Sequence, residues 1–390
     1  MNEFSLALIE LFNSWGWSWQ LPTDPESVAI TTGVLKAIIA VCIVLATMGG
    51  CLYTVLLERK VAAWCQGRVG PCRTTFPWLM YIPVLGRLLT YWGIIQPLAD
   101  GGKLFLREEP IPGHVTKWLY HLAPCFALAP ALITLVMMPF GSYVDPETGK
   151  ETALMLCNMN PGFVFVVAVS SLGAYGTILA GWSSNSKYPF LASMRVGAQV
   201  ISYELSIVMS LLPIVLLTAA NTECNPLSFF SIVQEQSNWW NIIIAPISAL
   251  IYFTAMLAEM GRLPFDVPES ETDTVGGFHT EYGTFKFGLF FVGEYLHIIL
   301  GSIIFTLFFL GGWHILPFLP QIDGIWGTLL GIFCLLFKTF CLMFLIVWIR
   351  WTLPRFRYDQ VMHIGWKILL PLAIVNLIGY FIAVTVIDLM

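Results

Sequence analysis

Charge is what this sequence has least of. Asp, Glu, Lys and Arg make up 11% of its 390 residues, against roughly 25% in a soluble domain. With 57% hydrophobic residues and a mean hydropathy of +0.77, that shortage excludes an ordinary soluble enzyme. It leaves a polytopic membrane protein with little mass outside the bilayer. Basic tracts interleaved with aromatics are missing, which argues against nucleic-acid binding. The nine cysteines form no C-x-x-C pair. Cys65 and Cys72 flank Arg68, and Cys334 and Cys341 share one apolar run. These spacings suit neither zinc nor an iron–sulfur cluster. The thiols read as small hydrophobes, and the chain is expected to carry no metal and no redox centre of its own. A basic n-region is missing too: Met1–Asn13 holds Glu3 and Glu10 instead, so a cleavable signal is not expected. No internal repeat or low-complexity stretch is apparent.

What the sequence does have is apolar runs, at about residues 32–57, 118–140, 161–182, 200–220, 240–259, 285–313, 327–351 and 366–388. Each approaches the roughly 20 residues a helix needs to cross the hydrocarbon. The expectation is an all-α polytopic protein, one membrane domain over residues 1–390 with about eight transmembrane helices. Residues 1–32 mix Trp15, Trp17 and Trp19 with Pro22 and Pro25, an interfacial lead-in. The connection 58–117 is the longest. Within Gly93–Glu109, Asp100, Lys103 and Arg107 are spaced i, i+3, i+7, which places them on one face and predicts an amphipathic helix lying at the interface. Thr75–Tyr91 is apolar but short, and Pro77, Pro83 and Arg87 interrupt it, which argues against a ninth span.

Orientation follows from the basic residues. Sixteen Lys and Arg fall on connections that share one side, and only Lys36 and Lys150 fall on the other. The positive-inside rule then puts both termini outside and the connections 58–117 and 259–284 in the cytoplasm.

The second of these connections is acidic. Glu259, Asp266, Glu269, Glu271, Asp273 and Glu281 lie within 23 residues, offset nearby by Arg262 and Lys286. Pro264, Pro268 and the Gly276–Gly277 pair forbid a continuous helix there. Charge alone favours a solvated loop; its place between two spans also suits the wall of a wet cavity. Within the spans, Glu204 is either a structural partner of Arg195, nine residues earlier, or a proton-handling carboxylate. Glu294 lies near the middle of its run, where a carboxylate is costly and a functional role is expected. His297 shares its face and reads most simply as a hydrogen-bonded core residue. Lys338 calls for a carboxylate partner. Pro213 and Pro246 predict kinks, which are tolerated where helices line a cavity.

Five blocks carry a family likeness: Glu58–Pro71 (ERKVAAWCQGRVGP), Gln96–Lys103 (QPLADGGK), Gly181–Leu212 (GWSSNSKYPFLASMRVGAQVISYELSIVMSLL), Ala258–Tyr295 and Leu353–Gly365 (LPRFRYDQVMHIG). In these blocks and their order the chain resembles the quinone-chamber, or heel, component in the membrane arm of respiratory complex I, the NADH:quinone oxidoreductase. The resemblance implies a subunit that frames the quinone chamber with the hydrophilic arm and couples quinone reduction to proton translocation. It implies ubiquinone or menaquinone as substrate. It also places NADH, FMN and iron–sulfur clusters in hydrophilic-arm partners, makes small membrane-arm subunits neighbours, and sets the chain in a bacterial plasma membrane. By resemblance, Arg59, Arg68 and Asp100 belong to the quinone-chamber region. Arg195, Glu204, Glu259, Glu269, Glu271, Asp273, Glu281 and Glu294 match the charged path from that chamber towards the pumping subunits. The sequence departs from the family in three places. Thr74–Trp92 reads as an insertion, Met260 and Gly261 stand where the family has Thr and Asn, and Asp273 replaces a Glu. Two other readings are an equivalent subunit of a membrane-bound hydrogenase or other dehydrogenase, and a stand-alone secondary transporter. The transporter reading predicts an internal repeat.

Overall fold

A computed structural model describes residues 25–74, 83–144, 151–157, 159, 161–220, 225–267, 275–318 and 324–389, with backbone alone for 25–33, 83–85 and 387–389. Most of the tryptophan-rich lead-in, residues 75–82 of the apparent insertion, and Glu269, Glu271 and Asp273 lie outside the described residues.

The architecture is all-α and polytopic. Among the described residues, seven helical segments are long and apolar enough to cross a membrane, and Pro246–Glu259 is a shorter apolar helix. In chain order the helices begin with α1 Pro25–Cys65, α2 Pro83–Trp92, α3 Gln96–Leu106 and α4 Lys117–Val136. A small antiparallel hairpin, Ser142–Val144 with Glu151–Ala153, follows α4. Then come α5 Gly162–Ser170, α6 Gly173–Ser183, α7 Lys187–Ala219, α8 Phe229–Glu235, α9 Asn241–Ile244 and α10 Pro246–Glu259. The last four are α11 Thr284–Phe309, α12 Gly324–Thr352, α13 Tyr358–His363 and α14 Leu370–Leu389, with a π-helical segment, Ile364–Leu369, joining α13 to α14.

Three departures from the expected spans have local causes. The span expected at 240–259 is broken at Ala245, whose φ −124° and ψ 62° leave the helical region. Pro246 lacks an N–H and disfavours helical geometry in the residue before it. The third span is broken at Ser171–Leu172, between α5 and α6. The fourth begins at Lys187 and not near 200, so Arg195 and Glu204 share one helix. Nine residues at roughly 100° each is two and a half turns, which sets the two side chains on opposite faces. Arg195 lies 5.0 Å from the Tyr358 ring, whereas Glu204 faces the helices of the bundle interior. Their suggested structural pairing is thereby replaced. Pro213 sits inside an unbroken α7.

The expected interfacial helix is α3, eleven residues long. The ten-residue α2 is roughly 15 Å long, about half of the hydrocarbon thickness. Gly93 joins the two with φ +70°, and a Cβ there would meet the Pro71 carbonyl oxygen at 2.5 Å. Only glycine fits both the backbone angle and the close approach.

The core is formed where α7, α10 and α11 meet, around Tyr203, Ile251, Tyr252, Leu296, Phe305 and Phe308. Interhelical hydrogen bonds reinforce it. Tyr203 donates to the Val361 carbonyl at 2.7 Å, Trp366 Nε1 to Ser202 Oγ at 2.9 Å, and Asn376 to Ser248 Oγ at 2.7 Å. Such bonds average about 0.6 kcal/mol between membrane helices. Rows of exposed apolar side chains, including Val34, Ile38, Val41 and Leu45 on α1 and Phe333, Leu336, Phe337 and Phe340 on α12, are faces suited to lipid or to neighbouring apolar helices.

Candidate functional site

A cleft of about 660 Å³ opens beside the C-terminal part of α1, lined by Glu58, Arg59, Arg68, Arg73, Tyr295 and Trp351 among others. Its volume is in the range of small-molecule sites. Arg59 pairs with Asp100 at 2.6 Å, and Gln96 Nε2 donates to the same carboxylate at 3.0 Å. Arg59, Arg68 and Asp100, grouped by resemblance alone, are therefore neighbours. Lys60 is buried and donates to the carbonyls of Val69 at 3.1 Å and Tyr91 at 2.8 Å. It thus ties the end of α2 to the rim of the cleft.

From the cleft a run of charged contacts enters the bundle. Glu58 is 8% exposed. Its carboxylate accepts a hydrogen bond from the Tyr295 hydroxyl at 2.5 Å and is paired with Arg350. The Arg262 guanidinium lies 4.9 Å from the Tyr295 ring centroid and pairs with Glu294 at 3.0 Å. Arg262 is 2% exposed and stands first by size among the fully buried side chains. A charge so placed needs a hydrogen-bonded partner of opposite sign, and Glu294 supplies one.

Two small cavities continue inward. One of about 70 Å³ is lined by Ser170, Gln199, Glu259, Glu294 and His297 among others. The other, of about 40 Å³, includes Ser170, Glu204, Tyr252, Glu259 and His297 in its wall. Each exceeds the roughly 10–15 Å³ of such volume that a water needs, and each offers polar partners. Gln199 Nε2 donates to the carbonyls of Ala258 at 2.7 Å and Phe265 at 2.9 Å, fixing the chain just beyond α10 and with it the Glu259 wall. Glu204, Glu259 and Glu294, from α7, α10 and α11, are thus brought to one pair of cavities.

Glu281 is not among them. It lies 3.8 Å from His114, in a second polar cluster at the N-terminal end of α11. There Lys286 pairs with Glu109 at 2.9 Å and sits 4.5 Å from the Tyr120 ring centroid. Tyr120 donates to the Glu281 carbonyl at 3.0 Å and stacks on Tyr282 at 4.2 Å. Tyr282 and Ser183 share a hydrogen bond of 2.9 Å. Burial, with Tyr120 adding to it and the Ser183 bond opposing, pushes the Tyr282 phenol above its ordinary range.

Lys338 corrects an expectation. Its ammonium is held by backbone carbonyls in place of a carboxylate: Leu310 at 2.7 Å, Gly312 at 3.2 Å and His314 at 2.5 Å, with the Trp240 ring centroid 4.6 Å away. Leu310 caps α11, at the negative end of its dipole, and Gly312 and His314 follow in the turn beyond it, where carbonyls lack helical donors. Glu58, Tyr295 and Arg350 were not singled out as site residues. Glu58 and Tyr295 each adjoin a singled-out charge, Arg59 and Glu294. Among the described residues, no cluster of three or more His, Cys, Asp or Glu could hold a metal ion.

This fold and this site define a class: a polytopic α-helical membrane protein in which buried charges connect a surface cleft to interior cavities large enough for water. The family model described as NADH dehydrogenase matches residues 37–381, and the chain belongs to that family. It is 43% identical over 328 residues to the first of the NADH-quinone oxidoreductase H subunits of Geobacter metallireducens, covering 84% of this chain and 89% of that protein. It is 37% identical over 350 residues to the protein of the same name from Cytophaga hutchinsonii, covering 89% and 94%.

Proposed function

We propose that the chain is the membrane-arm H subunit of a proton-translocating NADH:quinone oxidoreductase; its relatives are named as H subunits of an NADH-quinone oxidoreductase. Together with the hydrophilic arm it forms the chamber for the quinone headgroup. Electrons from NADH reach that chamber through the flavin and iron–sulfur clusters of partner subunits. The protein spans the bacterial plasma membrane as one domain with both termini outside, and the cleft opens towards the cytoplasmic arm. In this reading the cleft offers a quinone the Tyr295 hydroxyl and the guanidinium groups of Arg59 and Arg68, with aromatic walls from Phe291 and Trp351.

The observation that carries the reading is the contact run Arg350–Glu58–Tyr295–Arg262–Glu294, which begins at the cleft and ends at the cavities of Glu259 and Glu204. A negative charge developing on quinone as it is reduced alters the field at Glu58 and Tyr295. Coupled carboxylates titrate as a set, so the change is passed to Glu294, Glu259 and Glu204 as a rearrangement of protons. By family resemblance alone, Glu269, Glu271, Asp273 and Arg195 are assigned to the same path, and Glu281 to its approach through the second polar cluster.

The test begins with purification in mild detergent through a tag on this chain, followed by assay of inhibitor-sensitive NADH:quinone reductase. Co-purification of an NADH-oxidising flavoprotein with that activity is expected. Within that assembly, Glu294→Gln lowers proton pumping or quinone reduction. Recovery of a solitary chain would overturn the reading, and full pumping in Glu294→Gln would remove that carboxylate from the path.

A further inference from the structure

His297 belongs to neither the cleft nor the run of salt bridges, yet it is the one imidazole in the walls of both interior cavities. It lies one turn beyond Glu294 on α11, so the two side chains share a face. Among the described residues, its ring nitrogens make no hydrogen bond. The ring is half-buried and faces space large enough for water on two sides. The space is also kept open from the opposite helix. At Gly173, the first residue of α6, a Cβ would lie 3.2 Å from His297 Nε2, tighter than an ordinary contact. Glycine there leaves the ring room to turn.

We infer that His297 is a proton relay between the Glu294 cavity and the Glu204 cavity, a role that rests on the proposed coupling path. Glu259 borders both cavities as well, but an unperturbed carboxylate titrates well below neutral pH, whereas imidazole titrates near it. Imidazole has two separated nitrogens and can accept on one while donating from the other. One nitrogen takes a proton from water in the Glu294 cavity, giving a transient imidazolium. The other releases a proton to water in the Glu204 cavity. Rotation of the ring, or the reverse transfer, restores the starting tautomer, and no electron moves in the step.

The test uses the assembled, purified complex reconstituted into liposomes. His297→Gln keeps a polar side chain that can hydrogen bond but cannot exchange a proton near neutral pH. It is expected to lower NADH:quinone turnover and protons pumped per NADH at least tenfold, leave electron transfer from NADH to ferricyanide unchanged, and reshape the pH profile of turnover. In His297→Ala, added imidazole restores part of the pumping. Wild-type pumping and pH profile in His297→Gln overturn the inference. Gly173→Ala keeps the imidazole but crowds Nε2. If His297→Gln does not assemble, full proton stoichiometry in Gly173→Ala overturns the inference in its place, and a lowered stoichiometry supports it. Glu204→Gln and Glu294→Gln, measured alongside, separate the two levels. Loss in the carboxylate variants with none in His297→Gln sinks the relay alone, whereas full pumping in all three sinks the coupling path beneath it.

Discussion

The two ends of α11 handle buried charge in opposite ways. At its N-terminal half, Arg262 and Glu294 form a pair beside a cavity that Glu259 and His297 also line. At its C-terminal end, Lys338 is enclosed by three carbonyls and a tryptophan ring. Nearby, Gln236 Nε2 donates to the Leu307 carbonyl at 2.8 Å, Gly311 N–H donates to Gln236 Oε1 at 2.9 Å, and Asn241 Nδ2 donates to the Phe308 carbonyl at 2.9 Å. In the second arrangement the Lys338, Gln236 and Asn241 donors meet fixed backbone acceptors. The first sets titratable groups around space that water can enter. A buried charge in a membrane protein is by default a functional candidate; the comparison adds that the surroundings decide. Saturated by backbone, a charge locks a helix end. Set among carboxylates and cavities, it can change its protonation.

The comparison is broken most directly at Arg262. Arg262→Met leaves Glu294 without the guanidinium that neutralises it, and losing one partner of a buried pair costs about 3–5 kcal/mol. Both a lower thermal dissociation temperature and a loss of quinone reductase of tenfold or more are expected in the assembled complex. The double variant Arg262→Met/Glu294→Gln removes both charges. It should recover most of the assembly and little of the pumping. Recovery of pumping in the double variant would make this end of α11 another structural lock.

Lys338→Met gives the opposite signature. It strips the donor from three carbonyls, at a cost on the order of 3 kcal/mol, given roughly 1–3 kcal/mol for each unsatisfied buried group. Dissociation on heating should come earlier, while turnover per assembled complex stays near wild type. A specific loss of proton stoichiometry with unchanged thermal behaviour would move Lys338 to the functional side of the comparison. Gln236→Leu is the milder version. It deprives the Leu307 carbonyl and the Gly311 N–H of one bond each, and about 1–2 kcal/mol is expected, read as a smaller shift in the same melting experiment.

Much of the fold was legible because the bilayer imposes a coarse rule. A run of about 20 apolar residues has few alternatives to a spanning helix, and the apolar runs found helices near their expected places. Helix breaks were legible only where proline forced them, as at Pro246. The break at Ser171–Leu172 carries no proline and was not anticipated. Glu204, Glu259 and Glu294 stood out as carboxylates in or against apolar runs. That they share cavities depends on three different helices, and pairing between distant elements leaves no local mark. The same limit explains Lys338. Its need for a partner could be read from a cation in a hydrophobic run, but the partner proved to be backbone, which every residue carries. Arg195 and Glu204 failed as a pair for a reason that was present in the sequence: nine residues is half a turn out of phase on a helix, once the helix is known to start at Lys187.

A pH-dependent effect is expected beside Lys338. His314 is 6% exposed, and burial, with the Lys338 charge adding to it, holds its imidazole below the ordinary 6.5, at about 4. A histidine lowered in the folded state stays neutral there while the unfolded chain takes up a proton. Between pH 6.5 and 4 the unfolded state therefore binds more protons, and stability falls as pH drops through that window. At about 1.4 kcal/mol per unit the full loss is about 3 kcal/mol at most, and a single unit of acidification costs about a third to a half of it. Thermal dissociation of the complex, measured at pH 7 and again near pH 5, should show a decline that His314→Phe flattens. In Lys338→Met the second cause is gone, so the folded value rises and the window narrows from its acid side. Equal slopes in wild type and His314→Phe would mean that His314 titrates as it does in water, and the enclosed character assigned to this end of α11 would fail at that residue.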